Sequence, residues 1–130
     1  MATELPGFKL TGHFAGEDLS GAQYRFVKLD AQRDVVRCTA ITDEPIGILQ
    51  NDPVEGEEAE IMVTGRSKVV ADGVIAVGAE VGTSADGEAD SIASGVDTTV
   101  FKVARALDPA AAAGEIISVL VDCLAPARAA

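Results

Sequence analysis

The sequence predicts a mainly β protein: a small β-barrel or β-sandwich of about eight short strands, with a flexible N-terminal arm and at most one short helical turn. Three features of the chain lead there. Short runs of about three to six residues carry strand-type patterning, and none holds helical spacing long enough to make a helix. Asn, Asp, Pro and Gly separate these runs at short, regular intervals. The 130-residue chain is 48% hydrophobic but only 4% aromatic and has no Trp, so its core must be built from Val, Ile, Leu and Ala. One domain is expected from the length. Its expected division is an extended arm over residues 1–21, a β domain over 22–125 and a frayed tail over 126–130.

Along the arm, Gly7, Gly12, Gly16 and Gly21 recur between single apolar residues, namely Leu5, Phe8, Leu10, Phe14 and Leu19. Such a glycine-rich segment loses much entropy if it orders alone, so its apolar residues must either fold back on the domain or anchor on another chain. Strand signals begin at Gln23–Leu29 and continue at Val35–Ile41, with the polar stretch Asp30–Asp34 as the turn of a hairpin. Pro45–Gln50 is the next strand, closed by Asn51-Asp52-Pro53. Ala59, Ile61 and Val63 then alternate with Glu60, Met62 and Thr64, one face buried and one wet.

Gly65 is expected to end that strand, with Ser67–Ala71 as a separate one before the Asp72-Gly73 turn. Glu80–Thr83 is short, residues 84–96 read as a loop, and Thr99–Ala106 reads as one longer strand. Ile117, Val119 and Val121 alternate with Ile116, Ser118 and Leu120, which suggests burial on both faces. Asp108–Gly114 holds four alanines after Asp-Pro and is the one candidate for a helical turn.

Charge narrows the partners. Ten basic against 21 acidic residues give a net charge of −11. That disfavours nucleic acid, whose binding is driven by Lys and Arg, and disfavours an anionic membrane surface. No window has the length of a membrane span, and the N-terminus lacks the basic start and apolar core of a signal peptide. Cys38 and Cys123 fit no metal or redox spacing and are expected as buried free thiols of a protein made in the cytoplasm.

Catalytic and metal residues are not found in the sequence, and no cofactor is expected. His13 is the only histidine, which removes imidazole-based triads and multi-histidine zinc sites. Glu55, Glu57, Glu58 and Glu60 lack the alternating ligand loop of a calcium site. Gly65-Arg66-Ser67-Lys68 fails the phosphate-loop spacing. Arg66 and Lys68 are still the only basic pair within the acidic middle of the chain, and so a candidate polar contact.

Two stretches carry a resemblance: IGILQNDPVEGEEAEIMVTGRSKVVADGVIAVGAEVGTSADGEA (Ile46–Ala89) and ARALDPAAAAGEIISVLV (Ala104–Val121). Their order of an Ile-Gly-Ile strand ending in Gln, a Gly-Glu turn, a Val-x-Gly strand, a Lys-Val-x-Ala run and a late Gly-Glu resembles the tailed-phage capsid cement, or head decoration, proteins. The resemblance implies a structural protein of the capsid exterior. It would bridge major capsid protein subunits, often as a homotrimer, with no catalytic residue to carry over. On that reading Leu5, Phe8, Leu10 and Phe14 of the arm become candidate capsid contacts. The alternatives are another virion surface or adhesion module, and a lipoyl- or biotinyl-type carrier domain with Lys68 displayed at a hairpin tip.

Overall fold

The computed structural model describes residues 7–93 and 95–129. Eleven strands form, and no helix among the described residues. They are β1 (Phe8–Phe14), β2 (Phe26–Leu29), β3 (Val35–Arg37), β4 (Gly47–Leu49), β5 (Glu58–Val70), β6 (Glu80–Thr83), β7 (Ala89–Ser91), β8 (Phe101–Lys102), β9 (Ala104–Ala106), β10 (Ile116–Asp122) and β11 (Ala127–Arg128). Nine belong to one sheet ordered β3-β2-β4-β5-β10-β9-β6-β7, with β1 joined to β5; β8 and β11 make a separate pair.

The sheet curls into a half-barrel, which brings the β7 region against β2 and against the exit of β5. Phe26 N donates to Gly87 O at 2.6 Å and Asp72 N to Ala89 O at 2.8 Å, while Ala71 bridges Ala89 in parallel. Inside the curl lies the apolar core, aliphatic Ile48, Leu49, Ile61, Val69, Val81 and Val119 around Phe26, all fully buried.

Polar side chains shape the turns that the sequence marks. Asn51 accepts from Glu60 N through Oδ1 and donates from Nδ2 to Glu58 O, so it fastens the base of the β4–β5 hairpin. Asp30 Oδ1 accepts from Gln32 N and Asp34 N and closes the β2–β3 hairpin. Gln50, the last residue of the Ile-Gly-Ile stretch, is buried and donates to Ser67 Oγ at 2.9 Å and to Ile48 O at 3.0 Å, tying β4 to the middle of β5.

Several expectations are corrected. Residues 8–14 are not a free arm: β1 pairs antiparallel along Glu58–Thr64 of β5, with Leu10 opposite Ile61 and packed on the core. The backbone groups on that edge of β5 need partners, and pairing them offsets the cost of ordering glycine. The tail is held too, since β11 pairs with β8, Ala129 is buried and its N–H donates to Val100 O at 2.9 Å. Gly65 does not end a strand. It takes a φ of 127° within β5 and, having no Cβ, lets Gly7 lie against it, so β5 runs on unbroken to Val70.

Asp108–Gly114 forms no helical turn, within the expectation of at most one, and Ala110 is buried in a bridge to Ile75 instead. Val103 separates β8 from β9, where one strand was expected, and β7 forms inside the expected loop. β10 is not buried on both faces: Ile116 and Leu120 are exposed.

Candidate functional site

β5 is 13 residues long, about 40 Å at the rise of a strand, and it decides what the outer surface presents. Its odd-numbered Ala59, Ile61, Val63, Ser67 and Val69 point inward and are buried. Of its even-numbered residues, Glu58, Glu60, Thr64, Arg66, Lys68 and Val70 line the outside, whereas Met62, expected on the wet face, is fully buried. Residues paired across a sheet share a face, so the register extends this outer surface to the neighbouring strands. Phe14 stands opposite Glu58 and Phe8 opposite Thr64; both rings are about half exposed, at 50% and 52%. Farther along, Arg66 pairs with Leu120, Leu120 with Arg105 and Arg105 with Glu80, making one row across β5, β10, β9 and β6.

The structure thus brings Phe8, Phe14, Arg66 and Lys68 onto one outer face, strung along a single strand. Leu10 turns toward the core instead, and Leu5 lies outside the described residues. Lys68 sits within β5, its ammonium 5.5 Å from the Tyr24 ring centroid. A carrier domain needs its lysine at a hairpin tip, so the carrier alternative fails on this placement.

Sequence reasoning missed Leu120, Arg105 and Lys102. A shallow depression of about 290 Å³ beside the row is lined by Glu80, Lys102, Arg105, Leu120, Asp122 and Pro126. Leu120 is 53% exposed. An apolar residue at a strand's outward position is the available signal, but the aliphatic run around Ile116 and Leu120 reads as buried on both faces. Arg105 Nη1 donates to Gly78 O at 2.9 Å.

Reactive groups are few here. Burial pushes the Cys38 thiol up to about 12, with Asp43 adding to the rise, and burial pushes Cys123 up as well. Both thiols are free and buried, as expected, and they stay protonated and weakly nucleophilic at neutral pH. His13 Nδ1 donates to Arg33 O at 3.0 Å, holding the end of β1 to the β2–β3 hairpin.

Carboxylates do gather, but not at Glu55–Glu60 as the sequence invited. One oxygen each from Asp72, Asp86 and Glu88 lies within 4.8 Å of the other two. Burial raises the Glu88 carboxyl above its ordinary value and the Asp72 and Asp86 charges add to this, opposed by Arg25, 3.9 Å away. Asp90 is raised by burial first and Asp72 next. A carboxyl that binds its proton more tightly when folded makes the fold lose stability as pH rises from the unfolded value, about 4.3 for Glu, through the raised one. Asp72→Asn in chelator-treated buffer is therefore expected to raise the melting temperature by roughly 1–3 °C at pH 7, and by less near pH 4. A drop at pH 7 would show that the cluster is not repulsive.

The fold is an all-β half-barrel with an extended outer sheet face along β5. A family profile described as phage cement protein matches residues 22–122, and the chain belongs to the phage cement protein family. Among solved structures it is similar to the N base of the head fiber protein gp8.5 of bacteriophage phi29. The TM-score is 0.65 at 19% identity, covering 88% of this chain and 93% of that one. That likeness is one of fold. No curated protein sequence matches the chain. It is a phage structural protein of the virion, and among the described residues no helix is long and apolar enough to cross a membrane.

Proposed function

We propose that this protein cements the outside of a tailed-phage head by bridging neighbouring major capsid protein subunits, as a homotrimer, and carries out no reaction. The observation that supports this best is the outer face of β5. Two half-exposed Phe rings near the ends of β1 and a basic stretch beyond them provide separate contacts on one stiff strand. Bridging needs that separation, because each end has to reach a different subunit. Repetition over the shell makes modest individual contacts sufficient.

Phe8 and Phe14 are the proposed apolar contacts, each able to bury most of an aromatic side chain. Purified protein mixed with heads assembled from the major capsid protein of its own phage, then sedimented and imaged, tests the reading. Saturable density outside the shell is expected. Phe8→Ser with Phe14→Ser is expected to weaken attachment by roughly tenfold or more while leaving the melting temperature within about 3 °C. Undiminished attachment of the double variant would remove both rings from the contact, and no attachment of the wild type would defeat the cement reading itself.

A further inference from the structure

We infer that the outer face formed by β5, β10 and β9 docks on an acidic patch of the shell, with an apolar shell side chain seated against Leu120. This rests on the cement reading above and names the chemistry of the partner's surface. Three independent observations converge on this face.

The first is charge. Arg66, Lys68, Lys102 and Arg105 are four of the ten cations in a chain of net charge −11. Arg66, Lys68 and Arg105 lie on the outer strand face, and Lys102 lines the adjoining depression with Arg105 and Leu120. No carboxylate among the described residues stands within ion-pair distance of any of them. Elsewhere Lys9 pairs with Glu60, Arg25 with Glu88 and Lys28 with Asp43. From Arg66 onward these four cations meet three carboxylates, Glu80, Asp108 and Asp122, so this part of the face is weakly positive, whereas Glu58 and Glu60 lie at the other end of β5, Glu60 paired with Lys9; the rest of the chain sets six cations against eighteen carboxylates. Arg33, Arg37 and Arg128 also have no ion pair among the described residues, so this face gathers four of the seven cations without one.

The second is apolar exposure at the middle of the charged ring. Leu120 lies between Arg66 and Arg105 in the row, with Ile116 exposed four residues, two pleat repeats, away and the depression beside it. An apolar centre within a charged rim is the arrangement of a protein–protein contact. The third is unmet hydrogen bonding. Arg66 Nε and Glu80 Oε2, at two positions of this same row, are shielded yet have no hydrogen-bond partner among the described residues. Buried polar atoms in a finished structure almost always have one. A long phosphate polymer fits worse, because the rest of the chain repels it.

The test is attachment to the same heads by the triple variant Arg66→Glu, Lys68→Glu, Arg105→Glu, and by wild type at about 0.05 M and about 0.5 M salt, where screening differs strongly. The expected results are attachment weaker by roughly tenfold or more for the triple variant, and wild-type attachment that weakens by a similar factor at high salt. Lys102→Glu, on an exposed side chain, provides a reading if the triple variant does not fold, and it is expected to weaken attachment by about threefold. Attachment by either folded variant equal to wild type overturns the inference, as does salt-independent attachment. Loss of self-association in sedimentation with unchanged attachment overturns it too, since the face would then join copies of this chain. Saturable binding of duplex DNA by the wild type, lost in the triple variant, would likewise assign the face to another partner. Failure of the wild type to attach at any salt brings down the cement reading and this inference with it.

Discussion

Gly47→Ala is expected to lower the melting temperature by roughly 10–15 °C, from a cost of about 3 kcal/mol. A Cβ at this position would lie 2.4 Å from Met62 O and 2.5 Å from Ile61 Cγ2. One of these atoms is backbone, held in the pairing of β4 with β5, where Ile48 faces Met62 and Leu49 faces Ile61. On its other side Gly47 pairs with Val27 of β2. Neither neighbour can retreat without breaking a ladder, so the added methyl has to push β4 out of the sheet. Gly73→Ala is the control: nothing lies within 4 Å of its Cβ, and the change should stay within about 0.5 kcal/mol. Thermal melts of the two variants decide it. Equal melting temperatures would mean that β4 and β5 are not this close.

The same glycine explains why part of this molecule can be read from its sequence. The Ile-Gly-Ile wording, the Gln that follows it and the Asn-Asp-Pro turn each have one local cause: close strand approach, a buried bond to Ser67 and a hairpin clasp. Local causes leave local signatures, so the all-β class, the β2–β3 hairpin and the strands around residues 46–64 are legible. What was not legible depends on distant partners. β1 reads as an arm because its alternation is broken by Gly12, and only the open edge of β5 makes it a strand. β11 has almost no apolar signal and exists because β8 lies opposite.

The surface divides in the same way. Phe8, Phe14, Arg66 and Lys68 could be picked out as residues that a soluble, acidic β domain does not need in those places. That they share one face follows from an uninterrupted β5, which the sequence at Gly65 argued against. Leu120 and Arg105 enter only through the register across β10 and β9, a relation between segments far apart in the chain.

Phe26→Ala is expected to cost about 3–5 kcal/mol and to lower the melting temperature by roughly 10–20 °C. Phe26 is the one fully buried aromatic among the described residues. Its backbone ties both ends of the curled sheet: N donates to Gly87 O at 2.6 Å, and O accepts from Cys38 N at 3.1 Å. It also faces Ile48 across β2 and β4. Truncating the ring therefore opens a cavity at the seam that gives the half-barrel its curvature, where aliphatic neighbours are held on several sides and cannot all collapse inward. Phe26→Leu keeps most of the volume and should cost about 1–1.5 kcal/mol. The pair separates folding from docking. Below its own melting temperature Phe26→Ala retains the outer face of β5, so it should attach to heads as wild type does, whereas the Phe8 and Phe14 substitutions should do the reverse. A Phe26→Ala protein that melts within about 3 °C of wild type would show that the seam is not what holds the sheet closed.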